Sequence, residues 1–282
     1  MVGIGLVLTA MFLFTATDAM AKWLVAGYSV LQIVAFRGAL SLLILTPIAL
    51  RGKGVAALRT PYVGMQLLRG VFGLVSLAAF IVALRVVPLG DAAALGFSGS
   101  LMMAGLSALI LRERVSLKRW AAILVGFVGV LVIVQPGTSA FQPASLLVLL
   151  SALCYALMMI TTRWLTRTVG TVSMVFYHSL VPAVVGGIAL PFVWVAPTEL
   201  DLGLLIATGL AGVLGHVLVA QAYRFAPVAT LAPFDYSALL WATLAGLIVW
   251  GETPGTAVWT GSAILIAAGL YIIYGERRAT GS

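Results

Sequence analysis

Apolar runs of about 20 residues, separated by short polar breaks, dominate the chain. They lie at approximately 2–20, 28–50, 62–84, 88–111, 118–134, 144–162, 171–195, 202–222, 228–250 and 256–274. An α-helix rises ~1.5 Å per residue, so a run of this length crosses a hydrocarbon layer ~30 Å thick. The pattern predicts an all-α integral membrane protein with ten transmembrane helices. The clearest internal linker is "QPGTSAFQP" at 135–143, rich in turn-forming residues. The first run, Val2–Ala16, is followed by "DAMAK", which has the small residues of a cleavage site. No Lys or Arg precedes Lys22, so the run reads as a first span and not as a cleaved leader.

The second half repeats the first. At an offset of 139, Arg85 meets Arg224, Pro88 meets Pro227, Ser98 meets Ser237, Glu113 meets Glu252 and Trp120 meets Trp259. At an offset of 141, "KWL" at Lys22–Leu24 meets "RWL" at Arg163–Leu165, and Arg37 meets His178. Each half then holds five spans. Five is odd, so the second half enters the membrane from the opposite side, giving a 5+5 inverted-topology repeat. The expected division is 1–137 for the first repeat, 138–143 for the linker, 144–275 for the second repeat and 276–282 for a cytoplasmic tail.

Composition agrees. The chain is 62% hydrophobic and 9% charged, against about 25% charged in soluble domains. A net charge of +8 invites a nucleic-acid reading, but the basic residues are scattered between apolar runs, and no nucleic acid is expected as a partner. Alternate loops collect them on one side. Arg51, Lys53, Arg59, Arg112, Arg114, Lys118, Arg119, Arg163, Arg167, Arg224, Arg277 and Arg278 fall together, with only Lys22 and Arg85 opposite. The positive-inside rule then puts both termini in the cytoplasm, with the chain in a bacterial inner membrane.

"ALRVVPLGDAAALGF…ALILRERVSLKRWAAILVGFVGVLVIVQPG" (Ala83–Gly137) and "TDAMAKWL…LQIVAFRGAL" near the start resemble the first repeat of EamA-type transporters of the drug/metabolite transporter superfamily. "LAPFDYSALLWATLAGLIVWGE" (Leu231–Glu252) is similar to the matching part of the second repeat. The resemblance implies a 5+5 inverted fold and the export or uptake of small organic solutes. It implies members that handle amino acids, nucleosides, cationic drugs, riboflavin or S-adenosylmethionine. Many relatives carry Pro in the middle of span 4, where this chain reads "FSGSL" with Ser100.

Ionisable groups at mid-membrane cost about 2.5–3.5 kcal/mol on insertion scales, so they face a partner, the bundle interior or water. Arg37, Gln66, Arg69, His178, His216 and Asp235 form that set. Arg69, His178, His216 and Asp235 fall in the same half of the membrane and are expected to share one polar cluster. Two readings of it stay open. Asp235 pairs with Arg69 or a His and locks spans together, or it faces a cavity and binds substrate or protons. Arg37 matches an Arg that the resemblance makes recurrent in span 2. Asp18 and Asp91 are expected to partner Lys22 and Arg85, with an outer gate as the alternative. Glu113 and Glu252 close spans 4 and 9, as caps or as partners of nearby basic groups.

Aromatic side chains supply further candidate contacts, because ring faces attract cations and stack on planar solutes. Phe14, Phe97, Tyr155, Tyr223, Tyr236 and Trp241 lie on spans 1, 4, 6, 8 and 9, which the resemblance implies line the cavity. Ser98 joins Phe97 there, and His216 and Asp235 complete the expected substrate-binding set. Gly209, Gly212 and Gly215 on span 8 and Gly126 and Gly129 on span 5 permit close helix approach. No phosphate-cradling Gly-Lys-Ser/Thr loop occurs, so no ATPase subunit is implied. No close His or Cys pair points to a metal, no cofactor is expected, and no catalytic constellation is recognisable. The leading expectation is a secondary transporter exporting amino acids by alternating access. The alternative is uptake of a metabolite such as S-adenosylmethionine or riboflavin. A membrane enzyme or scaffold comes last.

Overall fold

In lipid the backbone has no hydrogen-bond partner but itself, so a chain this apolar is forced into helices. The computed structural model describes residues 2–50, 58–110, 116–166, 168–226 and 228–280, and among them there is no strand. Arg51, Lys53, Arg112, Glu113, Arg114, Arg167 and Pro227 lie outside the described residues, as do the side chains of Arg277 and Arg278.

Among the described residues twelve helical segments follow one another. They are α1 (Val2–Leu24), α2 (Val30–Leu50), α3 (Val63–Ala83), α4 (Leu89–Gly96), α5 (Ser98–Ile110) and α6 (Leu117–Val134), then α7 (Ser145–Leu165), α8 (Thr171–Val193), α9 (Glu199–Phe225), α10 (Val228–Asp235), α11 (Ser237–Trp250) and α12 (Thr256–Thr280). Eight stretches are long and apolar enough to cross a membrane, taking Leu89–Ile110 and Pro233–Trp250 each as one, and Val30–Ile44 and Thr256–Ile272 are shorter apolar helices.

The ends are set locally. Ser116 caps α6 by accepting from the Arg119 amide at 3.3 Å, and Thr198 caps α9 by accepting from the Asp201 amide at 3.2 Å. Gly251 ends α11 in the left-handed region at φ 70°, where a side chain would clash. The Glu252 amide donates to the Gly246 carbonyl at 3.1 Å and the Gly251 amide to that of Leu247 at 3.0 Å, a Schellman closure. This turn aims Glu252 back across the bundle.

Helices remote in sequence pack side by side. α1 lies along α9, α2 along α8, α3 along α7 and α6 along α12. Glycines allow the closest crossings. A Cβ on Gly129 of α6 would stand 2.7 Å from the Gly261 carbonyl of α12, and one on Gly261 would stand 2.6 Å from the Gly129 carbonyl. A Cβ on Gly38 of α2 would come within 2.6 Å of the Ala183 backbone on α8, and one on Gly186 of α8 within 2.7 Å of Ala35. The stripe on α9 serves two neighbours: Gly209 receives Leu40 of α2, and Gly215 receives the Phe14 ring of α1. Gln32 of α2 adds a two-way bridge, donating to the Val195 carbonyl at 2.8 Å and accepting from its amide at 3.0 Å.

The fourth and ninth apolar runs are not continuous helices. The fourth is interrupted at Phe97, between α4 and α5, and the ninth at Tyr236, between α10 and α11. In the ninth, Pro233 withholds a backbone N–H and crowds the preceding turn. The fourth breaks with no proline. Gly96 weakens the turn, and the Ser100 hydroxyl donates to the Phe97 carbonyl at 2.8 Å, competing with the helical ladder.

Candidate functional site

The two interruptions meet. The rings of Phe97 and Tyr236 lie 4.8 Å apart, centroid to centroid, with their planes tilted by 51°. Asp235 immediately precedes the second break. Its carboxylate makes no ion pair among the described residues, and it lies within electrostatic reach of the hydroxyls of Tyr155, Tyr223 and Tyr236. These tyrosines come from α7, α9 and the α10–α11 break. α7 makes no extensive contact with α9 or α10. Tyr155 lies over Gly99 of α5, where a Cβ would be 3.6 Å from its ring. Tyr155 and Tyr223 are each about half exposed, while Ser98 beside the first break is fully buried with its hydroxyl unpartnered.

A second group of polar residues sits apart from the first. His178 of α8 lies within electrostatic reach of Arg69, His216 and Arg37. Its ring is packed on α3 at Gly73, where a Cβ would stand 2.5 Å from Cε1, and its Nδ1 is buried without a partner. Arg37 of α2 reaches α9 at Gly212, with one guanidinium nitrogen buried and unpartnered. The carbonyl of the same Gly212 lies 2.7 Å from His216 Nδ1. Phe14 of α1 meets the His216 ring edge-on, with centroids 4.9 Å apart. Trp241 packs edge-on against Phe12 at 5.5 Å, with its indole nitrogen buried and unpartnered.

The expected single polar cluster is therefore two. Asp235 pairs with neither Arg69 nor a histidine. Arg69 is already engaged, donating from Nε to the Thr162 hydroxyl at 2.6 Å and from a terminal nitrogen to the Met174 carbonyl at 2.8 Å. It ties α3 to α7 and α8, and Gln66, fully buried one turn earlier, faces Ser173 of α8 at 3.5 Å. Polar groups at this depth take whatever partner adjacent helices offer, and sharing a membrane half does not make them neighbours.

The charges near the other end of the bundle also depart from expectation. Lys22 pairs with Glu252, not Asp18. It also donates to the Val87 carbonyl at 3.1 Å and stands 5.2 Å from the Trp250 ring centre. The second oxygen of Glu252 accepts from the Leu89 amide at 2.9 Å. Asp91 faces this Lys22–Glu252 pair and not Arg85, with one oxygen buried and unpartnered. Asp18 faces Arg37 instead, one helix over. Lys22 and Glu252 are 230 residues apart, and nothing local marks either for the other. Outside the knot, Lys22, Arg85, Trp250, Glu252 and the 25–29 turn line a cavity of ≈ 630 Å³.

The sequence matches the model of the EamA-like transporter family twice, over residues 1–135 and 142–275. Among similar proteins, an S-adenosylmethionine uptake transporter of Rickettsia bellii is 29% identical over 99% of this chain and 95% of its own length. A riboflavin transporter of Rhizobium johnstonii is 33% identical over 81% of this chain and 76% of its own. A pseudopaline exporter of Pseudomonas aeruginosa is 31% identical over 94% of both. A crystal structure at 21% identity aligns over 98% of both chains with a TM-score of 0.67, which shows a shared fold.

Proposed function

From the premise that this chain belongs to the EamA-like transporter family, we propose that it is a ten-helix secondary carrier built as a 5+5 inverted repeat, moving a small organic metabolite by alternating access. The observation that carries the reading is the meeting of the broken spans at Phe97 and Tyr236. The two positions differ by 139, the offset at which the halves repeat. Discontinuous helices at a repeat interface are where secondary transporters hold their substrates. The helix pairing supports the repeat as well. Exchanging the halves turns α1 on α9 into α7 on α3, and leaves α2 on α8 and α6 on α12 unchanged.

A solute held between the halves meets an acid with three tyrosines at one end and Arg37, His178 and His216 at the other. A metabolite with a cationic centre, a planar ring and a carboxylate suits both ends. S-adenosylmethionine has all three, and the length-matched Rickettsia relative favours it over the plain amino acids first expected. Uptake is the leading direction. Export is the second reading, favoured by the Pseudomonas relative. Both termini are assigned to the cytoplasm of a bacterial inner membrane by the twelve-to-two asymmetry of basic loop residues.

The test is counterflow in proteoliposomes holding only this protein, with labelled S-adenosylmethionine, riboflavin and a panel of amino acids. Saturable exchange of S-adenosylmethionine is the expected result. Exchange of an amino acid alone restores the first expectation. No exchange of any solute by folded protein overturns the carrier reading.

A further inference from the structure

We propose that Asp235 is the seat for a fixed positive charge on the transported solute, and that Tyr155, Tyr223 and Tyr236 form a cage around that charge. The proposal rests on the carrier reading above and names the chemistry its site selects. Four observations carry it.

A carboxylate seven residues into a span costs free energy unless something answers its charge. The neighbouring elements answer it with nothing: among the described residues no Lys, Arg or His comes within 4 Å of Asp235. Lys22 is committed to Glu252 and Arg69 to Thr162 and Met174, and Arg37 faces Asp18. Tyr155, Tyr223 and Tyr236, from separate elements, lie within electrostatic reach of Asp235, and the Phe97 ring lies 4.8 Å from that of Tyr236. Ring faces carry partial negative charge, and with a carboxylate they bind ammonium and sulfonium centres without demanding hydrogen-bond donors. Tyr155 and Tyr223 are each about half exposed and stand on helices that do not pack extensively on each other, which leaves room for a ligand group.

The experiment measures inhibition of counterflow by pairs of solutes that differ only in charge. S-adenosylmethionine and S-adenosylhomocysteine share everything but the methyl group that makes the sulfur a cation. Choline and 3,3-dimethylbutanol are a second such pair. In the parent the cation of each pair should inhibit about tenfold better, equivalent to about 1.4 kcal/mol. Asp235→Asn should erase that preference, and Asp235→Glu should retain it. Tyr155→Phe should keep most of the preference, and Tyr155→Leu should lose part of it.

Equal inhibition by both members in the parent, or an unchanged preference in Asp235→Asn, overturns the proposal. If folded parent exchanges nothing, the carrier reading has failed and the seat is still tested. The same pairs are then compared as stabilisers of detergent-purified protein against heat. Cations should raise the melting temperature of the parent and not of Asp235→Asn. Indifference of both proteins to the cations overturns the seat.

Discussion

Lys22 at the end of α1 is bound to Glu252, just past the end of α11, and Glu252 also accepts from the Leu89 amide at the start of α4. One salt bridge thereby draws three helices together at the end of the bundle away from the N-terminus. Charge-assisted hydrogen bonds of this kind contribute about 1.5–3 kcal/mol. Glu252→Gln is therefore expected to loosen this end. In a background with Cys154 replaced by Ala, a cysteine at buried Ser98 should react several-fold faster with a membrane-impermeant thiol reagent added from the Trp250 side. The exchange Lys22→Glu with Glu252→Lys should restore slow labelling, and equal rates in parent and Glu252→Gln would show that the pair closes nothing.

Asp18 and Arg37 face each other inside the membrane without a direct contact within 4 Å. Removing one charge leaves the other uncompensated, which costs more than removing both. Asp18→Asn and Arg37→Gln should each lower the melting temperature by several degrees. The double variant should recover part of that loss. Additive losses in a double-mutant cycle would mean that the two groups do not depend on each other.

The crossing of α6 and α12 has no room for a side chain at Gly129 or Gly261. Gly129→Ala must push the helices apart, at about 1–3 kcal/mol. Gly5→Ala serves as control, since a Cβ there meets nothing within 4 Å. Thermal unfolding followed by dye labelling of the buried Cys154 thiol should show a clear drop for Gly129→Ala and none for Gly5→Ala.

Gly269 of α12 receives the hydroxyl of Tyr236, and a Cβ there would overlap it. Gly269→Ala should displace the tyrosine at the α10–α11 break while leaving the helix intact. A rise of several-fold in the KM for exchange, with little change in melting temperature, is the expected outcome. An unchanged KM would remove Tyr236 from the set of groups that meet the solute.

Eight of the expected spans have a membrane-length apolar counterpart among the described residues, and they were legible because the requirement behind them is local. Each stretch of backbone in lipid must satisfy its own hydrogen bonds and cover itself with apolar side chains, so every membrane-crossing helix announces itself in about 20 consecutive residues. α1, at Val2–Leu24, and α9, at Glu199–Phe225, extend past their expected ends by only a few residues. The break at Tyr236 had Pro233 as a local sign. The break at Phe97 had none as plain, because a serine hydroxyl does there what a proline does in the other half.

Partnership was a different matter. The polar residues at depth stood out by composition, and Asp235, Tyr155, Tyr223 and Tyr236 were all named from sequence. Their grouping was not. Asp235 is expected either to pair with Arg69 or a histidine or to face a cavity, and among the described residues it makes no ion pair. Position along the chain pairs Lys22 with Asp18, and the fold hands it to Glu252. Depth in the membrane follows from position along one helix. Which groups meet follows from how helices far apart in the chain rotate and cross, and that is decided by close contacts such as Gly129 on Gly261 and Gly215 on Phe14. The chain alone thus determined that this protein lives in lipid and which side chains are out of place there. Only tertiary packing decided which of those side chains answer each other, as Lys22 answers Glu252 and Arg69 answers Thr162.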